Sequence, residues 1–175
     1  MDFTKYLDAV DREAEVILTA SDKVWDAAET AFDEYGSMDA LCEALEKEGF
    51  EVAKGIGDVP TAFSGRFGKG KPVVGFLGEY DGLSGLSQVS GCPVPNPVKA
   101  GGVGHGCGHN LLGAGSLGAA IAVKEYLEDT GKEGTVIFYG CPGEEGAPAR
   151  PSWPGKASST SAISASPGIP AAPTP

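Results

Sequence analysis

The sequence has few basic residues, no long apolar run and just two histidines among its 175 residues. Thirteen Lys and Arg against 24 Asp and Glu give a net charge of −11. This acidity disfavours nucleic acids and anionic membranes as partners, since both attract basic proteins. The apolar runs are too short to span a bilayer, and residues 1–18 are too charged for a secretory signal. We expect a soluble cytoplasmic protein whose four cysteines are thiols or metal ligands rather than disulfides.

The chain divides into a body of residues 1–146 and a tail of residues 147–175. Hydrophobic residues make up 41% of the sequence, which is enough for a buried core. The tail contains seven of the 13 prolines and no acidic residue, and this proline spacing excludes long helices and strands. We expect a disordered tail rich in Pro, Ala and Ser. A proline-rich segment that binds an aromatic groove is the other interpretation.

Hydrophobic spacing in the body predicts an α/β fold. One helical pattern runs from Phe3 towards Phe32, and a second begins at Ser37 and stops at Gly49. The run 73–77 is apolar on both faces, which is typical of a strand covered on both sides. This run lies in the second of three predicted strands, at 61–67, 72–80 and 135–139, and a helix is predicted at 111–127. The order of strand, helix and strand favours a mostly parallel sheet.

Both histidines fall in one glycine-rich stretch, GHGCGHN, at residues 104–110. Its glycines let the backbone turn tightly, so Cys107 and His109 can bind one divalent metal. Zinc suits a thiolate and an imidazole, and a site completed by carboxylates also suits manganese. A glycine-rich turn before a helix, with Cys107 as a small buried side chain, is the other interpretation. The spacing excludes a dinucleotide-binding loop, and the second Cys/His pair of a zinc finger is missing.

Two acidic motifs follow predicted strands. The sequence GEEG at residues 143–146 lies where α/β proteins place their sites, and its carboxylates can act as metal ligand and general base. The sequence GEYDG at residues 78–82 contains Asp81, which can orient a ligand histidine. Taken alone, each motif is more often an ordinary solvated turn. If the strands are parallel, all three motifs meet at one edge of the sheet.

With these motifs the chain resembles the metal-dependent amidohydrolases of the aminoacylase/carboxypeptidase type, in particular the group formed by the B-type subunits of aminobenzoyl-glutamate hydrolases. The matching segments are FLGEYDGLSGLSQ at 76–88, GHGCGHNLLG at 104–113 and YGCPGEEG at 139–146. The resemblance covers about residues 1–146. It implies the N-terminal part of a zinc-peptidase-like catalytic domain.

The resemblance also implies roles for five residues. Cys107, His109 and Glu145 correspond to metal ligands. Glu144 corresponds to the general base, and Asp81 to the catalytic-site aspartate that precedes Ala-Leu-Pro in the family. Glycine and serine replace that alanine and proline here, so this loop is altered.

The reaction implied by the resemblance is hydrolysis of an amide bond in N-acyl amino acids or dipeptide-like substrates such as aminobenzoyl-glutamate. A complete family site holds two divalent metals, zinc or manganese. Family members are typically dimers, formed through a second domain. The expected partner is therefore a small-molecule amide.

The chain departs from the family after residue 146. It has no histidine after His109, and its length leaves no room for the dimerisation domain. We therefore expect at most one metal, and an inactive truncated fragment is the alternative to an active enzyme. A reading frame shifted by one nucleotide permits the family-like sequences Gly-Lys-Ala-Phe-Met-Ala-Arg over 149–155 and Thr-Trp-His-Pro over 167–170. Our hypothesis is that the tail is a frameshift product.

Overall fold

The computed structural model of the chain describes residues 4–146. The expectations for the tail, including its frameshift origin, lie outside the described residues. The helices in this part are α1 (Thr4–Arg12), α2 (Ala14–Ala27), α3 (Tyr35–Lys47) and α4 (His109–Thr130). The strands are β1 (Glu51–Lys54), β2 (Phe63–Lys69), β3 (Val73–Glu79), β4 (Leu83–Ser84), β5 (Val103–Gly104) and β6 (Gly134–Cys141).

The main sheet is mixed, so the prediction of a mostly parallel sheet is wrong. Its strands lie in the order β1-β2-β6-β3, and β2 pairs antiparallel with both β1 and β6. Of the strands in this sheet, only β3 and β6 pair in parallel. The link between β2 and β3 is just residues 70–72, and so short a link reverses the chain direction. The parallel pair instead uses the long crossover through α4, so the α/β class is confirmed.

The predicted helices are present, with different ends. The long N-terminal pattern forms two helices, and α2 ends at Ala27 because Ala28 adopts a left-handed conformation. The helix predicted over 111–127 is α4, which ends where Gly131 turns left-handed at φ 61°. Among residues 4–146, no helix combines the length and the apolar character needed to cross a membrane.

The core lies between the main sheet and the helices. Val136 and Phe138 of β6 are fully buried in one cluster with residues of α2, α3 and α4. The expectation that the run 73–77 is covered on both faces is wrong, because Leu77 is 51% exposed. β3 is the edge of the described sheet, and only Phe76 within this run packs against the core. Its neighbours in the strand point to the opposite face, as the pleat of a strand requires.

Candidate metal centre

The predicted site residues meet at one edge of the main sheet. β3 ends at Glu79 and β6 at Cys141, and the carboxyl ends of these parallel strands lie at the same edge. Asp81 follows β3, and Glu144 follows β6. His109, the first residue of α4, contacts both of these carboxylates. The parallel pair and its crossover helix therefore assemble the site.

Asp81 holds the ring of His109. Nδ1 of His109 lies 2.9 Å from Oδ1 of Asp81 and 3.1 Å from the Asp81 carbonyl oxygen. Because the carbonyl can only accept, Nδ1 carries a proton and donates it. Oδ2 of the buried Asp81 accepts a hydrogen bond from the Glu145 N–H at 2.8 Å. The hydrogen bond to Asp81 raises the pKa of His109 to about 9, and the charges of nearby carboxylates contribute further.

The other ring nitrogen of His109, Nε2, faces three carboxylates. Oε2 of Glu79 lies 3.3 Å from it, Oε2 of Glu144 lies 3.9 Å away and Oε1 of Glu145 lies 4.0 Å away. The ligand atoms of Glu79, His109 and Glu144 all lie within 4.8 Å of one another. Oε1 of Glu145 is buried and has no hydrogen-bond partner among the described residues. One imidazole nitrogen and several carboxylates fit zinc or manganese, and a cation bound here would neutralise the clustered negative charge.

Burial raises the pKa of one carboxylate in this acidic cluster, Glu79. Desolvation is the largest cause that raises the pKa of Glu79, and the neighbouring carboxylates Glu144 and Asp81 raise it further. His109 acts in the opposite direction, because its positive charge favours the ionised carboxylate. A divalent cation would act in the same direction as the protonated histidine and favour the ionised form of Glu79.

Cys107 lies at the margin of this cluster. It is exposed, and hydrogen bonding with the Glu145 carboxylate is the first cause that raises the pKa of its thiol. The compact group of ligand atoms contains Glu79, His109 and Glu144 but not Cys107. The interpretation of Cys107 as a small buried side chain is wrong.

His105 points away from the carboxylates. Its Nε2 lies 2.9 Å from the carbonyl oxygen of Val24, which can only accept, so Nε2 donates the proton. Its ring lies next to Trp25, with ring centroids 6.1 Å apart. Burial lowers the pKa of His105, so the neutral form is favoured. Of the two histidines, His109 is therefore the one that faces the candidate metal centre.

Glu79 joins the cluster although no role was predicted for it from the sequence. The signal was present in the motif GEYDG, because Glu79 and Asp81 are two residues apart. In extended chain such residues point to the same side. Within this motif only Asp81 was predicted to act, as a partner for a ligand histidine.

A mixed α/β fold with a histidine and carboxylates at the end of a parallel strand pair has the features of a metallopeptidase-type hydrolase. The chain belongs to peptidase family M20/M25/M40, whose family model matches residues 75–163. This match includes all five residues to which the resemblance gave a role, and it confirms the resemblance.

Two curated relatives match most of the described body. The B-type subunit of p-aminobenzoyl-glutamate hydrolase from Escherichia coli is 52% identical over 139 residues, which are 79% of this chain and 29% of the relative. Thermostable carboxypeptidase 2 of Saccharolobus solfataricus is 32% identical over 125 residues, which are 70% of this chain and 30% of the relative. The chain therefore spans about 30% of the length of these relatives.

A solved structure agrees with the fold. The Bacillus subtilis YXEP protein, a dinuclear metal binding peptidase from family M20, superposes with a TM-score of 0.61 at 24% identity. The superposition covers 76% of this chain and 36% of that protein. It confirms the predicted peptidase-like α/β fold.

Proposed function

We propose that this chain is part of a metal-dependent amide hydrolase. The observation that carries the proposal is the environment of His109. Asp81 holds Nδ1 of this histidine, while Nε2 faces carboxylates of which Glu79 is the nearest, at 3.3 Å. A histidine that binds metal commonly donates its other N–H to a carboxylate in this way.

The residues that would hold zinc or manganese are His109 and Glu145, with Cys107 as a further ligand by resemblance to the family. Glu79 is a competing ligand, because its carboxylate is the nearest to Nε2 of His109. When bound, the metal supplies Lewis-acid polarisation of the scissile carbonyl and promotes the ionisation of water. We expect at most one metal per chain from these ligands.

Glu144 is the proposed general base. Its side chain is 42% exposed, so it can reach both substrate and water. Its carboxylate takes a proton from the attacking water and delivers that proton to the nitrogen of the leaving amine. Asp81 keeps a proton of His109 on Nδ1, so Nε2, which faces the carboxylates, is the nitrogen left to bind a metal in place of its own proton. Asp81 thereby acts by orienting the histidine.

The proposed substrates are N-acyl amino acids or dipeptide-like amides such as aminobenzoyl-glutamate. The relatives support this class, since one belongs to a p-aminobenzoyl-glutamate hydrolase and another is a carboxypeptidase. Because the Escherichia coli relative is one subunit of its enzyme, a partner polypeptide is part of the proposal. We also propose a cytoplasmic location, which the free thiols of all four cysteines support.

Metal binding without turnover is the second candidate function. The chain has no histidine after His109, and the resemblance implies further histidine ligands downstream in a complete site. One histidine with several carboxylates can hold a metal without building the two-metal site of the family. This candidate predicts a bound metal and no hydrolysis.

The experiment compares metal binding with turnover. We would measure zinc and manganese binding by equilibrium dialysis, and hydrolysis of p-aminobenzoyl-glutamate, for the full chain and three variants. His109→Ala removes the central ligand, Glu144→Gln removes the base, and Glu51→Gln is a matched control on the exposed part of β1.

The hydrolase proposal expects metal binding in all chains except His109→Ala, and turnover in the wild type and Glu51→Gln alone. If the wild type binds metal and none of the four chains hydrolyses the substrate, the second candidate is favoured. A wild-type chain that binds neither metal would contradict both.

A further inference from the structure

A buried carboxylate outside the metal centre contacts the acidic turn, which is formed by the GEEG motif at residues 143–146. Glu34 lies between α2 and α3 and is fully buried. Its Oε1 accepts two backbone hydrogen bonds, from the N–H of Phe32 at 2.8 Å and from the N–H of Gly143 at 2.9 Å. Gly143 is the first residue of the GEEG motif, 109 positions away in the sequence. A single side chain therefore joins the N-terminal helices to the turn that carries Glu144.

Position 143 of this turn accepts only glycine. This residue has a left-handed backbone at φ 72°, and the ring of Phe32 would lie 2.6 Å from a Cβ placed there. The turn closes with a hydrogen bond from the N–H of Gly146 to the carbonyl of Gly143. Glycine is thus required both by conformation and by the close approach of the ring.

Two buried carboxylates hold this turn on either side of Glu144. Glu34 accepts the N–H of Gly143, and Asp81 accepts the N–H of Glu145 at 2.8 Å. The backbone on both sides of Glu144 is therefore anchored, while the side chain of Glu144 remains partly exposed beside His109. This arrangement restricts where the Glu144 carboxylate can go.

Stability alone does not explain a carboxylate at position 34. Its second oxygen, Oε2, is buried and accepts neither of those two backbone hydrogen bonds. Burial is the largest cause that raises the pKa of Glu34, which hydrogen bonding with backbone amides and with the Thr61 side chain partly opposes. A buried carboxylate costs free energy, and apolar side chains of similar volume are often more stabilising. An apolar residue at position 34 could not accept the hydrogen bond from the Gly143 N–H.

We propose that Glu34 is a positioning residue, which fixes the backbone of the turn at Gly143 and thereby holds Glu144 and Glu145 towards His109. This inference rests on the proposed function of that site. Glu34 touches neither metal nor substrate and acts through the turn alone.

The test uses the full chain and three substitutions. Glu34→Met keeps the volume but removes the acceptor, and Glu34→Gln keeps an acceptor oxygen. Thr135→Val is the control, because Thr135 is also buried and its hydroxyl donates to the Gly70 carbonyl at the opposite end of β6 from the turn. The measurements are hydrogen exchange of the Gly143 and Glu145 amides by NMR, zinc affinity and the thermal midpoint of unfolding.

We expect Glu34→Met to accelerate Gly143 exchange and to weaken zinc binding, each by about tenfold or more. Its thermal midpoint stays equal to that of the wild type or rises, which a loss of general stability would not produce. Glu34→Gln keeps the wild-type exchange rate and affinity, and Thr135→Val changes neither. Unchanged Gly143 exchange in Glu34→Met, or equal damage by Thr135→Val, would overturn the proposal.

Two outcomes separate this inference from the proposed function. If the wild-type chain binds neither zinc nor manganese, the proposed function fails, and the Gly143 amide alone decides the role of Glu34. If Glu34→Met does not fold, the wild type and Glu34→Gln decide it. A protected Gly143 amide whose chemical shift moves in Glu34→Gln supports the proposal, and an amide that exchanges as fast as in unfolded chain overturns it.

Discussion

The carboxylate of Asp81 bridges His109 and the acidic turn. Its Oδ1 lies 2.9 Å from Nδ1 of His109, and its Oδ2 accepts the N–H of Glu145 at 2.8 Å. Asp81 is 1% exposed, so water does not compete for these bonds. The orientation of the histidine and the position of the turn therefore depend on one side chain.

Asp81→Asn tests this coupling. We expect it to weaken zinc or manganese binding by about 10- to 100-fold, as is typical when the partner of a ligand histidine is changed. The pKa of His109 in the metal-free chain should also fall below about 9, since the hydrogen bond to a charged carboxylate is its main cause. NMR titration of His109 measures this fall, with the exposed Asp11→Asn as control. An unaltered pKa of His109 in Asp81→Asn would contradict the assignment.

The metal-free chain should lose stability as the pH rises from near neutral to about 9. The pKa of His109 is raised in the folded state to about 9, above its unfolded value of about 6.5. The resulting stabilisation is complete below the unfolded pKa and is lost as the pH passes the folded pKa, at no more than about 1.4 kcal/mol per pH unit. Urea denaturation in the presence of a chelator measures it. His109→Gln should remove this part of the pH dependence, so identical profiles for the two chains would refute the prediction.

The thiols offer a test of the ligand set. Cys107 is exposed, whereas burial raises the pKa of Cys42 to about 12, so iodoacetamide should modify Cys107 and spare Cys42. If Cys107 is a ligand, saturating zinc should slow its alkylation by about tenfold or more. Cys92 is the internal control, and peptide mass spectrometry reads out each thiol. Unprotected Cys107 in a chain that binds zinc would exclude Cys107 and leave His109 with Glu145 or Glu79 as the ligands.

Two glycine substitutions of the same size should have opposite effects on stability. A Cβ at Gly140 in β6 would overlap the ring of the buried Phe63, so Gly140→Ala should destabilise the chain by about 1–3 kcal/mol. Gly115 lies on the exposed side of α4 with nothing within 4 Å of a Cβ, so Gly115→Ala should stabilise it by about 1 kcal/mol. The free energy of unfolding in urea measures both. Equal effects of the two substitutions would argue against this packing of β6.

Most of the elements could be predicted from local patterns. The helix α4 follows from its apolar, small-residue composition and the glycine at position 131, which both act over a few residues. The sheet order could not be predicted, because β6 inserts between β2 and β3 and this depends on contacts between distant parts of the chain. The exposure of Leu77 follows from the same order, since β3 becomes an edge.

The motifs identified Asp81, Cys107, His109, Glu144 and Glu145 as candidates, because short spacings of ligand residue types reflect local chemistry. Tertiary structure decided which of them meet. The parallel pairing of β3 with β6 adds Glu79 to the cluster, and the hydrogen bond of Asp81 to Nδ1 of His109 leaves Nε2 to face the carboxylates. Glu34 depends wholly on the fold, because a single acidic residue between two helices carries no local signal. Its contact with Gly143 forms only when the chain brings together residues 109 positions apart.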